Sequence, residues 1–89
     1  MHNTNQVSIL ILGRDTCEDT IRSRAHLDRI GTEYVYRNVE LDANADTLNR
    51  FYNDGRRVTP TILIGDESRP SQVLREPSDD ELDAAIAAG

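Results

Sequence analysis

The chain has 89 residues, enough for one small domain, and 16 acidic residues oppose ten basic ones for a net charge of -6. All ten basic residues are Arg, and there is one Cys. The acid excess leaves no basic stripe for a nucleic acid. One thiol with two distant His supplies neither a four-ligand zinc site nor a disulfide, and no apolar run approaches the roughly 20 residues that span a bilayer. Residues 1–6 are polar, read as a disordered segment without signal-peptide character, and residues 7–89 read as a single domain. These features fit a cytoplasmic monomer with no nucleic-acid or membrane partner. The acid-rich, Lys-free composition suits a GC-rich genome or a salt-adapted proteome and says nothing about chemistry.

Val7 to Leu12 is a nearly continuous apolar run, the pattern of a strand buried on both faces. A turn over Gly13 to Thr16 follows. From Cys17 to Ile30 the positions Ile21, Ala25, Leu27 and Ile30 predict a helix with acids first and Arg later. Gly31 sits where a left-handed residue ends it. Tyr34 to Glu40 reads as a second strand. Asn44 or Asp46 is positioned to cap a short helix carrying Leu48, Phe51 and Tyr52 and stopping at Gly55. Thr61–Ile64 and Gln72–Arg75 predict two further strands, close enough for an antiparallel hairpin. Ser78 and Glu81 form a capping-box pattern just after Pro77, opening a last helix with Leu82, Ala85 and Ile86 on one side. The order β-α-β-α-β-β-α predicts an α/β fold, a four-stranded mixed sheet with helices on both faces and its first two strands parallel.

Cys17 follows a buried strand and a four-residue turn, at the start of a helix. Unpaired N–H groups and the helix dipole favour a thiolate there. A lone Cys is otherwise an inert, small buried residue, so its location carries the functional reading. Thr20, three residues on, shares its helix face, and both its hydroxyl and its N–H come within reach of the sulfur. Glu18 and Asp19 oppose a negative sulfur, whereas Arg14, Arg56 and Arg57 are candidates to offset them. An unperturbed thiol is only about 3% thiolate at neutral pH, so this balance of charges is expected to govern reactivity. His26 lies about 13 Å and 900° along the helix, which excludes it as the base for Cys17, and His2 falls in the N-terminal segment. Pro60 opens a strand, where it removes no ladder hydrogen bond. A cis bond to Thr59 would leave the Thr59 backbone free to pair with an extended ligand.

The stretches I-L-G-R-D-T-C-E-D-T, G-R-R-V-T-P-T-I-L-I-G and E-P-S-D-D-E-L together resemble the glutaredoxin branch of the thioredoxin-like superfamily, close to NrdH-redoxins and mycoredoxins, from about Val7 to Ile86. The resemblance implies a thioredoxin-like (glutaredoxin) fold with Cys17 as nucleophile. It also implies a thiol-ligand site formed by Arg14, Arg57, the Thr59–Pro60 pair with a cis bond, and Ser78 and Asp79 at the last helix. Thr20 stands in place of the second cysteine, so the catalytic pair is Cys17 and Thr20 in a monothiol C-x-x-T variant. Glu18 and Asp19 replace the residues common between the two cysteines, and the Cys-Gly-Phe-Ser tetrad of cluster-carrying relatives is absent. The stretch Asp66 to Ser71 is longer than the usual tight turn between the last two strands. The function implied is a monothiol thiol–disulfide oxidoreductase with no tightly bound cofactor, whose co-substrate is glutathione or mycothiol and whose partners are thiol-modified or disulfide-containing proteins. The alternatives are a thioredoxin-fold scaffold with little redox activity and, less favoured, an iron–sulfur cluster carrier.

Overall fold

The apolar run at the front of the chain forms an inner strand of a sheet. In the computed structural model, which describes residues 7–89, β1 (Ile9–Gly13) is buried along its length. The readings for residues 1–6 lie outside the described residues. β1 pairs in parallel with β2 (Val35–Asn38) and antiparallel with β3 (Thr61–Asp66), and β3 pairs antiparallel with β4 (Arg69–Arg75). The sheet order is β2-β1-β3-β4. Three helices, α1 (Glu18–Arg29), α2 (Ala43–Phe51) and α3 (Asp79–Ala88), complete the predicted order.

Strand side chains alternate between faces, so β1 and β3 feed two cores at once. On one face Ile9, Ile11, Ile62 and Ile64 pack with Leu27 of α1 and with Leu82 and Ala85 of α3. On the other, Leu10, Leu12 and Leu63 meet Val39 and Ala45 of α2. Each buried Ile or Leu contributes on the order of 1.5–3 kcal/mol. This two-sided burial holds the β1–α1 junction, where Cys17 lies.

The helix faces differ from their sequence reading. Ile21 and Ile30 are half exposed and Ala25 is exposed, while α1 buries Thr20, Ser23, His26 and Leu27. Close packing against Gly13 explains the rotation. A Cβ there would lie 2.6 Å from the Thr20 side chain, so only glycine admits Thr20 this close to β1. His26 is turned towards α3, where its Nε2 lies 2.7 Å from Asp83. In α2 the cap is Asp42, accepting from the Ala45 N–H at 3.1 Å, in place of Asn44 or Asp46. Phe51 is largely exposed, and the helix instead buries Ala45 and Asn49.

The hairpin also differs. Strand pairing continues to Asp66 opposite Arg69, leaving Glu67 and Ser68 as a tight connection. A register shift at Ile64/Gly65, with Gly65 at φ 97°, absorbs the extra length. Pro70 fits because β4 is an edge strand. Gly31 ends α1 at φ 74° and the Ser78–Glu81 capping box is formed, both as read from local sequence.

Candidate functional site

The turn between β1 and α1 is held on three sides. The Cys17 N–H donates to the Arg14 carbonyl at 3.2 Å, and the Val39 N–H donates to the Gly13 carbonyl at 2.9 Å. The Tyr36 hydroxyl donates to Asp15 at 2.8 Å. Burial first, and then this acceptor, push the Tyr36 phenol up to about 12, so it stays a donor at ordinary pH. Cys17 is the N-cap of α1 in an extended conformation, with its carbonyl accepting from the Ile21 N–H at 3.0 Å. Its partly exposed thiol donates to the Thr59 carbonyl at 3.4 Å.

Burial pushes the Cys17 thiol up, but hydrogen bonds from the Thr20 and Thr59 side chains and the Thr20 and Asp19 N–H groups outweigh it. The thiol is held below its ordinary 9.0. The expected contest between flanking acids and nearby arginines is therefore not what sets it: the causes are hydrogen-bond donors. Thr20 is fully buried and its Oγ1 has no partner of good geometry while Cys17 is a thiol. A thiolate gives that hydroxyl an acceptor, so Thr20 favours the charged sulfur selectively. Arg14 acts at one remove. Its Nε donates to Thr59 Oγ1 at 3.3 Å, which orients and polarises the hydroxyl that faces the sulfur.

Thr59 is positioned by buried amides. Asn49 donates through Nδ2 to the Val58 carbonyl at 2.7 Å and accepts from the Val58 N–H at 2.9 Å. Asn53 donates to Thr61 Oγ1 at 2.9 Å, and Thr61 donates to the Val58 carbonyl at 2.8 Å. The Thr59–Pro60 bond is cis and Pro60 is buried. The Pro60 carbonyl accepts from the Glu76 N–H at 2.9 Å, tying the last strand–helix junction to this loop.

The structure thus gathers Arg14, Cys17, Thr20, Thr59 and Pro60 into one cluster. Ser78 and Asp79 stand at the start of α3, beside it. Arg22 joins them to the Cys17 helix, donating to Asp79 at 3.1 Å, to Asp19 at 3.1 Å and to the Pro77 carbonyl at 3.2 Å. Asp19, Arg22, Glu76 and Asp79 line an open cleft of about 450 Å³. Arg57 is not drawn into the cluster: its Nε is held by Asp46 of α2 at 2.8 Å. Arg22, Glu76 and Asn49 were missed by sequence reasoning. For Arg22 and Asn49 the signals are tertiary, since their partners lie 57 and nine residues away along the chain. Among the described residues, no group of three or more His, Cys, Asp or Glu is placed to hold a metal ion, and no helix is long and apolar enough to cross a membrane.

The same architecture occurs in solved structures. A Plasmodium falciparum thioredoxin superposes with TM-score 0.68 at 12% identity, over 94% of this chain and 81% of that one. A Fasciola hepatica thioredoxin gives 0.66 at 11%, over 94% and 81%. The fold is thioredoxin-like. A chain from work on thiol resolution in yeast mitochondrial 1-Cys peroxiredoxin via glutathione/thioredoxin systems gives 0.70 at 12%, over 97% of this chain and 81% of that one. No protein-family model and no curated protein matches the sequence. In this thioredoxin-like fold the Cys17 cluster stands at the β1–α1 junction and meets the loop that enters β3.

Proposed function

We propose that the chain is a monothiol thiol–disulfide oxidoreductase of the glutaredoxin-like kind, with Cys17 as nucleophile. One observation carries this reading: the single cysteine is partly exposed at a helix start, with its thiol lowered by four hydrogen-bond donors that burial does not offset. An inert buried cysteine would show the opposite shift.

The Cys17 thiolate attacks the low-molecular-weight half of a protein mixed disulfide. A bond forms between Cys17 and that thiol, and the target protein leaves as a thiolate that takes a proton from water. A second molecule of the thiol, as its thiolate, attacks the outer sulfur of capped Cys17. The small disulfide forms and Cys17 leaves as a thiolate. Thr20 and the Arg14–Thr59 pair supply donors to Cys17 sulfur each time it carries charge. No second cysteine is needed, because the resolving thiol comes from outside. The Thr59 backbone, Arg14, Ser78 and Asp79 frame the place where that thiol binds, in the cytoplasm by this reading.

Turnover of a mixed-disulfide protein with glutathione and with mycothiol, run in parallel, tests the proposal. Wild type turns over with at least one of them and Cys17→Ser with neither. Absence of turnover, together with an alkylation midpoint at or above the ordinary thiol value, favours the scaffold reading instead.

A further inference from the structure

The charges around Cys17 are unevenly matched. Three of the arginines are already paired: Arg22 with Asp19 and Asp79, Arg57 with Asp46, and Arg14 with Glu40 at 3.9 Å. Arg75, next to Glu76 in the chain, donates to Asn53 and to the Tyr52 carbonyl and meets no carboxylate, and Arg56 enters no ion pair among the described residues. Around the site Asp15, Glu18, Glu76, Asp80 and Glu81 enter no ion pair among the described residues, although Asp15 accepts from Tyr36 and Glu81 from the Ser78 N–H. Glu76 stands out by placement. Its N–H is bonded to the Pro60 carbonyl, one residue from the Thr59 carbonyl that meets the sulfur, and it lines the cleft beside Asp19. Its backbone is left-handed, at φ 50°, which is uncommon outside glycine, and its residue is exposed. The fully buried Thr20 hydroxyl, unpaired in the thiol state, faces the sulfur that any reacting partner must approach.

We infer that Glu76 is a specificity-determining residue that favours cationic over anionic thiols and disulfides at Cys17. The inference deepens the monothiol exchange reading and rests on it. In the resolving step an incoming thiolate bonds to the outer sulfur of capped Cys17, the bond to Cys17 breaks, and Cys17 leaves with the electron pair. The proton of the incoming thiol has already gone to water. An ammonium on that thiol is attracted by Glu76, and a carboxylate is repelled. Arg14, the one guanidinium in the Cys17 cluster, is paired with Glu40, and Arg75 is turned to Asn53 and the Tyr52 carbonyl, so neither is directed at a ligand carboxylate.

The test uses the single cysteine, capped chemically as its mixed disulfide with 2-mercaptoethanol. Release is timed with cysteamine, 2-mercaptoethanol and 3-mercaptopropionate. Each rate is divided by that of the same thiol on bis(2-hydroxyethyl) disulfide, which cancels intrinsic reactivity. The normalised rates should fall in that order at low salt, severalfold from end to end, the size of effect that one carboxylate exerts on unit charges of either sign at Coulombic range in water. The spread should close at about 1 M salt, where the Debye length is about 3 Å. Glu76→Gln should remove most of it and Glu76→Arg should invert it. Asp66→Asn, which removes one charge from the opposite end of the sheet, should leave it unchanged. A flat or reversed order in wild type, or an order untouched by Glu76→Gln, overturns the assignment. Should the Glu76 variants fail to fold, Glu18→Gln and Asp80→Asn decide: each should leave most of the spread in place, and its loss in either overturns the assignment. Because the cap is installed chemically, this ratio is read even if no protein substrate turns over, so failure here and failure of the oxidoreductase reading are separate results.

Discussion

Replacing Thr20 by Val isolates the donor that faces the sulfur. The two side chains have nearly the same shape, and Thr20 packs against Gly13 so tightly that a change of volume would confuse the result. A hydrogen bond to a charged group contributes about 1.5 kcal/mol at the lower end of its range. Losing it cuts the thiolate population about tenfold wherever the thiol form dominates. The thiolate that remains is more basic and therefore about threefold more nucleophilic. Alkylation at neutral pH should fall about threefold, its pH midpoint should rise, and at high pH the variant should overtake wild type. Because the Thr20 hydroxyl is buried without a partner in the thiol state, thermal stability of the reduced protein at low pH should hold or increase. Iodoacetamide kinetics from pH 4 to 11 and a thermal melt give both readings. An unchanged pH profile would refute the claim that Thr20 stabilises the thiolate.

Gly13→Ala places a methyl 2.6 Å from the Thr20 side chain, so urea denaturation should show a loss of about 1–3 kcal/mol, partly restored by adding Thr20→Ser. Asn49→Ala removes both bonds to Val58 and should cost about 2–3 kcal/mol in the same assay, while raising the Cys17 alkylation midpoint as Thr59 loosens. Cys17 has a lower value folded than unfolded, so its ionisation adds stability that is present above the unfolded value and lost as pH falls through the folded one. Wild type should gain stability relative to Cys17→Ser across that window, and parallel pH–stability curves would contradict the assignment.

Local grammar made much of the site legible in the sequence. A buried run, a turn and a helix start located Cys17. Pro at a strand start marked the Thr59–Pro60 loop, and Ser-x-x-Glu marked the cap of α3. What stayed hidden depends on pairing across the chain. Nothing local shows that Arg57 is taken by Asp46, or that Arg22 spans to Asp79. The face of α1 was misread because Ile21 and Ile30 fit a helical stripe, whereas contact with Gly13 and α3 selects Thr20, Ser23, His26 and Leu27. The hairpin is antiparallel as expected, but its connection is shorter because the register shift at Ile64/Gly65 absorbs a residue of β4 and lets pairing run on to Asp66 and Arg69, which no periodic signature announces. Glu76 gives no local sign because a left-handed backbone and one bond to Pro60 are what place it beside this loop.

In the proposed mechanism Cys17 exchanges disulfides with help only from an external thiol. Turnover of a protein mixed disulfide, with glutathione and mycothiol compared and Cys17→Ser as control, tests it most directly. Wild type should turn over with one thiol or both, and the variant with neither. Equal rates for wild type and Cys17→Ser would contradict it.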